Sequence, residues 1–147
     1  MANEASIATS TAWYAVIGSS SPADGAVDTG TRTAISSTSL SAAEQVYTML
    51  DFHLDITAAA TAPTENSTID LYRIPNGNAD AAETPTATFK AHYVGSFTLD
   101  NITGAQDQYL FGVANVDVND TFITENNTGQ TITYSVNMQT RTVGPAA

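Results

Sequence analysis

Two stretches of this chain alternate apolar and polar residues with a period of two, the period of β-strands buried on one face. In the stretch from Val46 to Ile56, Val46, Leu50, Phe52, Leu54 and Ile56 fall on one face, and Tyr47, Met49, Asp51, His53 and Asp55 fall on the other. A helix over the same residues would set Asp51 and Asp55 beside Phe52 and leave no clean apolar stripe. In the second stretch, Ile132, Tyr134, Val136 and Met138 alternate with Thr131, Thr133, Ser135, Asn137 and Gln139. The outer face of this last strand is polar and uncharged, which suits either solvent or a neighbouring subunit.

Between these two strands the same grammar repeats. Ser67 to Ile74 reads as a strand stopped by Pro75-Asn76-Gly77-Asn78, a turn signal. Residues 78–87 read as an exposed loop. A strand from Thr88 to Leu99 is expected to place Phe89, Tyr93, Phe97 and Leu99 on one side, with Gly95 marking a bulge or a close backbone approach. Gln108 to Val118 is a further strand, Phe122-Ile123 a short one, and Asn126-Asn127-Thr128-Gly129 a turn. These segments add up to about eight strands with no amphipathic helix, the pattern of a β-sandwich or jelly roll. The fold class expected is therefore all-β, a single β-sandwich of jelly-roll type with an extended N-terminal segment. Its core is expected to draw on Leu50, Phe52, Leu54, Ile56, Ile69, Leu71, Phe97, Ile132, Tyr134 and Val136. A chain of 147 residues suffices for one such domain.

The domain is expected to span residues 45–147, preceded by a segment, residues 1–44, rich in Ser, Thr, Ala and Gly. That segment holds one apolar island, Ala12-Trp13-Tyr14-Ala15-Val16-Ile17, followed by the loop signal Gly18-Ser19-Ser20-Ser21-Pro22-Ala23-Asp24-Gly25. The island reads either as a first strand docked on the core or as an arm whose aromatic anchors dock on a partner. On the second reading Trp13, Tyr14, Val16 and Ile17 are the partner-binding residues.

Charge and chemistry narrow the function. Fifteen acidic residues against four basic ones give a net charge of −11. Nucleic acid is therefore not an expected partner, because phosphate contacts need a basic patch. An anionic membrane surface is disfavoured for the same reason, and no apolar run approaches the roughly 18 residues needed to cross a bilayer. The chain has no cysteine, so disulfides and thiolate chemistry are absent. The N-terminal residues lack the charged and apolar regions of a signal peptide, so synthesis in a cytoplasm without signal-dependent export is expected.

His53, between Asp51 and Asp55, is the one histidine with carboxylates nearby in sequence. With so many Ser and Asp residues available, that neighbourhood specifies no triad. Asp51 and Asp55 share a face but lie about 13 Å apart at strand rise, outside the spacing of a glycosidase pair. Asp117-Val118-Asn119-Asp120-Thr121 offers oxygen ligands for calcium without the spacing of an EF-hand, and reads as readily as an Asx-rich turn. Four N-x-Ser/Thr sequons, at Asn66, Asn101, Asn119 and Asn126, follow from a composition rich in Asn and Thr. No catalytic residue, cofactor or metal site is expected, and the chain reads as a binding protein rather than an enzyme.

Three segments carry a family resemblance: Ser67-Thr68-Ile69-Asp70-Leu71-Tyr72-Arg73-Ile74-Pro75, His92-Tyr93-Val94-Gly95-Ser96-Phe97 and Asn126-Asn127-Thr128-Gly129-Gln130. Over residues 46–132 the chain resembles the small structural proteins encoded near the major capsid gene of tailed bacteriophages. The resemblance implies a capsid decoration (cement) protein, jelly-roll-like, that binds the major capsid protein as a homotrimer on the virion exterior. Residues 1–44 match no motif of that family. Two other readings are a head-fibre or tail-associated β-domain, and a carbohydrate-binding module. The latter would present several aromatic rings on one exposed face, whereas most aromatic residues here fall at positions expected to be buried.

Overall fold

A computed structural model describes residues 5–9, 12–28, 49–74, 92–114, 116 and 120–145. Among these the chain forms eight strands: β1 (Ala5–Thr9), β2 (Tyr14–Ser20), β3 (Met49–Ala58), β4 (Thr68–Ile74), β5 (Tyr93–Thr98), β6 (Gln106–Val113), β7 (Thr121–Asn127) and β8 (Thr133–Pro145). The expected start of β3 at Val46, the turn at Pro75-Asn76-Gly77-Asn78, the loop at 78–87 and Phe89 lie outside the described residues.

The strands form two antiparallel sheets. The larger runs β1-β8-β3-β6, with β2 also paired to β8. The smaller runs β5-β4-β7. β8 is long enough to pair with both N-terminal strands: its first part faces β2 and its last part, Arg141 to Pro145, faces β1. On its other side β8 pairs with β3 from Met49 to Ala58. The apolar phases of β3 and β8 therefore fall in register, and Phe52 opposite Met138 and Leu54 opposite Val136 turn inward together.

The core lies between the sheets. All ten residues expected there are buried, joined by Val16, Ile17, Leu99, Phe122 and Met138. Each large apolar side chain removed from water contributes roughly 1.5–3 kcal/mol. Phe52 on β3 meets Phe122 on β7 edge-to-face, with centroids 4.9 Å apart. Nearby, the Tyr134 hydroxyl and Thr124 Oγ1 are hydrogen-bonded at 2.8 Å across the sheets. Gly95 on β5 faces Leu110 on β6, where an added Cβ would stand 2.8 Å from Leu110 Cδ1. Its lack of a side chain lets the two sheets approach along that border.

Three expectations change. Tyr93 was expected on the side of Phe97 but is 59% exposed. Leu71 pairs with Gly95 and Tyr72 with Tyr93, so Val94 is an extra residue that reverses the alternation. Asp51 does belong to the outer face of β3, yet it is fully buried. Arg141, Gln139 and the backbone of Gly112 close over its carboxylate. β7 is far longer than the Phe122-Ile123 dipeptide and is buried on both faces from Phe122 to Asn126.

The Asn126–Gln130 turn joins three parts of the chain. Asn126 Nδ2 donates to Pro22 O and Gln130 O, and Asn126 Oδ1 accepts from the backbone N–H and hydroxyl of Thr128. Gly129, at φ +77°, donates its N–H to Asp24, and Thr64 N–H reaches Thr128 O. The sequon at Asn126 is thereby closed, since its amide is buried with both protons engaged. Gly25 to Asp28 runs beside β7 through three backbone hydrogen bonds: Gly25 N–H to Asn126 O, Asn126 N–H to Ala26 O and Asp28 N–H to Thr124 O, the last two making the Val27–Glu125 bridge.

Candidate functional site

Paired residues on the outer face of the larger sheet share one direction. His53 lies opposite both Tyr109 and Asn137, Asp55 opposite Asp107 and Ser135, and Asp51 opposite Gln139. The face thus carries His53 and Asp55 from β3, Asp107, Tyr109 and Phe111 from β6, and Ser135, Asn137, Gln139 and Arg141 from β8. Trp13 precedes β2 and lies over the same face.

These side chains form a ladder. The Tyr109 and Phe111 rings are parallel, 5.4 Å between centroids and 3° between planes. His53 stacks on Tyr109 at 4.6 Å and 13°. Trp13 leans on His53 at 5.4 Å and on Tyr109 at 6.1 Å. At the other end the Arg141 guanidinium sits 5.5 Å from the Phe111 centroid, a cation–π contact. Despite this packing, Phe111 is 62% exposed, Tyr109 44% and Trp13 38%.

Both ends of the ladder are fixed by carboxylates. His53 Nε2 lies 2.7 Å from Asp107 Oδ1. Arg141 donates from Nε at 3.0 Å and Nη2 at 2.7 Å to Asp51 Oδ2, which also accepts from Gln139. Asp51 Oδ1 takes the Gly112 N–H at 2.7 Å. Gly112 has φ +65°, and β6 slips by one residue against β3 there. The slip keeps Val113 opposite Leu50 while Phe111 stays outside.

The sequence-derived partner residues separate. Trp13 belongs to the exposed ladder, and Tyr14 is half-buried against the core. Val16 and Ile17 are each 1% exposed and form part of the core. They cannot act as anchors for a partner, because β2 is a strand of the sheet. Ala15 pairs with Asn137 and Ile17 with Val136, so a bulge turns both Val16 and Ile17 inward. Sequence reading missed Tyr109 and Phe111. The signal was present: both are in phase with Asp107, and a carboxylate marks the outer face of a half-buried strand. The expectation that most aromatic residues are buried fails at Trp13, Tyr93, Tyr109 and Phe111.

The outer face of the smaller sheet is different. Tyr93 bonds Ser96, Ser96 bonds Asp70, and Asn127 Nδ2 donates to Asp70 Oδ2 at 2.9 Å. Tyr72 and Tyr93 meet edge-to-face. Burial, with the nearby Asp70 and Glu125 carboxylates, pushes the Tyr72 hydroxyl up to about 12.

Among the described residues no group of three or more His, Asp or Glu stands close enough to hold a metal ion. Asp117, Val118 and Asn119 of the calcium candidate lie outside them. Among these same residues no helix is long and apolar enough to cross a membrane. Comparison with protein-family models, with curated proteins and with solved structures finds no match to this chain.

Proposed function

We propose that this chain is a capsid decoration (cement) protein of a tailed bacteriophage: a jelly-roll domain that binds the major capsid protein on the outside of the shell, as a homotrimer, and stabilises it. One observation carries the binding part of this reading. A small two-sheet sandwich holds a row of aromatic side chains to solvent on one flat face, where burial against a partner would remove them from water. Strand order supports the jelly-roll part. β2-β8-β3-β6 faces a second sheet in which Gly25–Asp28 lies beside β7, followed by β4 and β5, giving two sets of four as in jelly rolls. The segments that carry the phage resemblance are β4, β5 and the end of β7 with the turn that follows it, and these three strands are neighbours in the smaller sheet. Among the described residues β6 and β5 end their sheets, and sheet edges of this kind suit coverage by neighbouring copies on the shell.

Co-sedimentation tests the proposal. Purified protein is mixed with empty capsids assembled from the major capsid protein encoded in the same genome. Saturable pelleting with the shells, and shells that withstand higher temperature when loaded, are expected. Protein that stays in the supernatant at every concentration sinks the reading.

A carbohydrate-binding module is the second reading, favoured by the same exposed rings. Ring orientation counts against it. Sugars stack on ring faces, and in this ladder the faces of Tyr109 and His53 are turned to their neighbours.

A further inference from the structure

We propose that the ladder face of the larger sheet is the surface that meets the shell, and that its counterpart is a protein patch with an apolar centre and Lys or Arg at its rim. This rests on the decoration reading and says which of the molecule's faces does the binding and what chemistry receives it.

Three observations select the face. First, its apolar surface is unspent. Among the described residues the opposite outer face exposes one ring, Tyr93, whose hydroxyl is bonded to Ser96 in a chain that runs on to Asp70 and Asn127, whereas Trp13, Tyr109 and Phe111 expose three rings in contact with one another. Second, the face is already organised. Asp107 holds His53, Asp51 holds Arg141, and the rings between them stack. Side chains fixed before contact lose little entropy on binding. Third, the parallel stack leaves ring edges outermost. Ring edges carry the positive end of the aromatic quadrupole, so they suit backbone carbonyls and aliphatic side chains of a protein better than sugar rings, which need a face.

Charge selects the occupant. Asp55 and Asp107 stand directly opposite each other beside the rings, and Asp107 is 60% exposed at its side chain. Arg141, the cation of this face, is engaged by Asp51. A second copy seated on the same face would bring carboxylates against carboxylates, on a chain whose net charge is −11. A partner with basic groups flanking an apolar centre satisfies both features.

The test uses the full-length protein and the empty capsids above. Tyr109→Ser with Phe111→Ser is expected to weaken shell binding by about tenfold or more, because aromatic anchors dominate interface energy. Asp107→Lys is a second, independent variant; it should weaken binding and reduce its salt dependence. Tyr93→Ser, on the opposite face, should bind as the parent does, and circular dichroism should be unchanged throughout. If the parent binds and the double variant and Asp107→Lys bind equally well, the face is wrongly assigned while the decoration reading stands. If the parent itself does not bind, both fall. Retention on insoluble cellulose or chitin that is lost in the double variant would overturn the protein partner in favour of a glycan. A solution dimer that the same variant dissolves would assign the face to self-association instead.

Discussion

The Asp51 carboxylate, fully buried on the nominal outside of a sheet, is held by Arg141 through two hydrogen bonds of 3.0 and 2.7 Å to a single oxygen. Its other oxygen takes the backbone N–H freed by the slip at Gly112. One side chain therefore satisfies the irregularity in β6 and positions the cation that caps Phe111.

Removing it should be costly. Asp51→Ala takes away the acceptor that Arg141 and the Gly112 N–H share, and breaking a buried pair from one side costs about 3–5 kcal/mol. Asp51→Asn keeps an oxygen for Gly112 and should cost less. Urea denaturation of the three proteins checks the order; equal midpoints would show that the pair contributes nothing.

Asn126 should be similarly intolerant. Asn126→Ala removes the donor to Pro22 O and the acceptor for the Thr128 N–H, and leaves Gln130 O its bond from the Thr128 hydroxyl alone, at about 1–3 kcal/mol for each buried group left unsatisfied. Loss of several kcal/mol by denaturation is expected, with faster amide exchange at Thr128. Asn127→Ala, which loses one exposed bond to Asp70, should change stability by less than about 1 kcal/mol.

The island at the N-terminus separates core from surface within a few residues. Ile17→Ala should destabilise by about 2–5 kcal/mol, as buried truncations do. Trp13→Ala should leave the denaturation midpoint nearly unchanged while weakening shell binding. Deleting residues 1–20 removes β1, β2 and two core side chains, and uncovers one side of β8. The shortened chain is expected not to fold; a cooperative unfolding transition in it would refute this.

Alkaline pH should weaken the fold. Tyr72 is raised from 10.0 to about 12, and burial raises Tyr134 further, against the lowering effect of its Thr124 hydrogen bond. Above pH 10 the unfolded chain releases phenolic protons that the folded chain retains. Stability from both groups is thus complete below pH 10 and declines above it, the Tyr72 part being lost as pH rises through about 12. The slope approaches about 1.4 kcal/mol per pH unit for each tyrosine while only the unfolded form is ionised. Denaturation midpoints on either side of pH 10 measure it, and Tyr72→Phe should flatten the decline.

Legibility in the sequence followed the regularity of burial. β3 and β8 were readable because each buries one face without interruption from Leu50 to Ile56 and from Tyr134 to Met138. β7 was not, because Thr124, Glu125 and Asn126 are polar residues buried for their hydrogen bonds, which no hydropathy period records. Val16-Ile17 and Tyr93 were obscured by bulges, each of which shifts the alternation by one residue. Half of the candidate site was visible in Trp13. The other half needed the phase of Asp107 to be extended along its strand to Tyr109 and Phe111.

The chain has a single tryptophan, and it lies against His53 on the very face proposed to dock. Its ultraviolet emission therefore originates from one known location, next to an imidazole whose protonated form quenches indole light. Docking that dries this surface should shift that emission to shorter wavelength without any attached dye. The molecule carries its own optical indicator of whether this face is wet or covered.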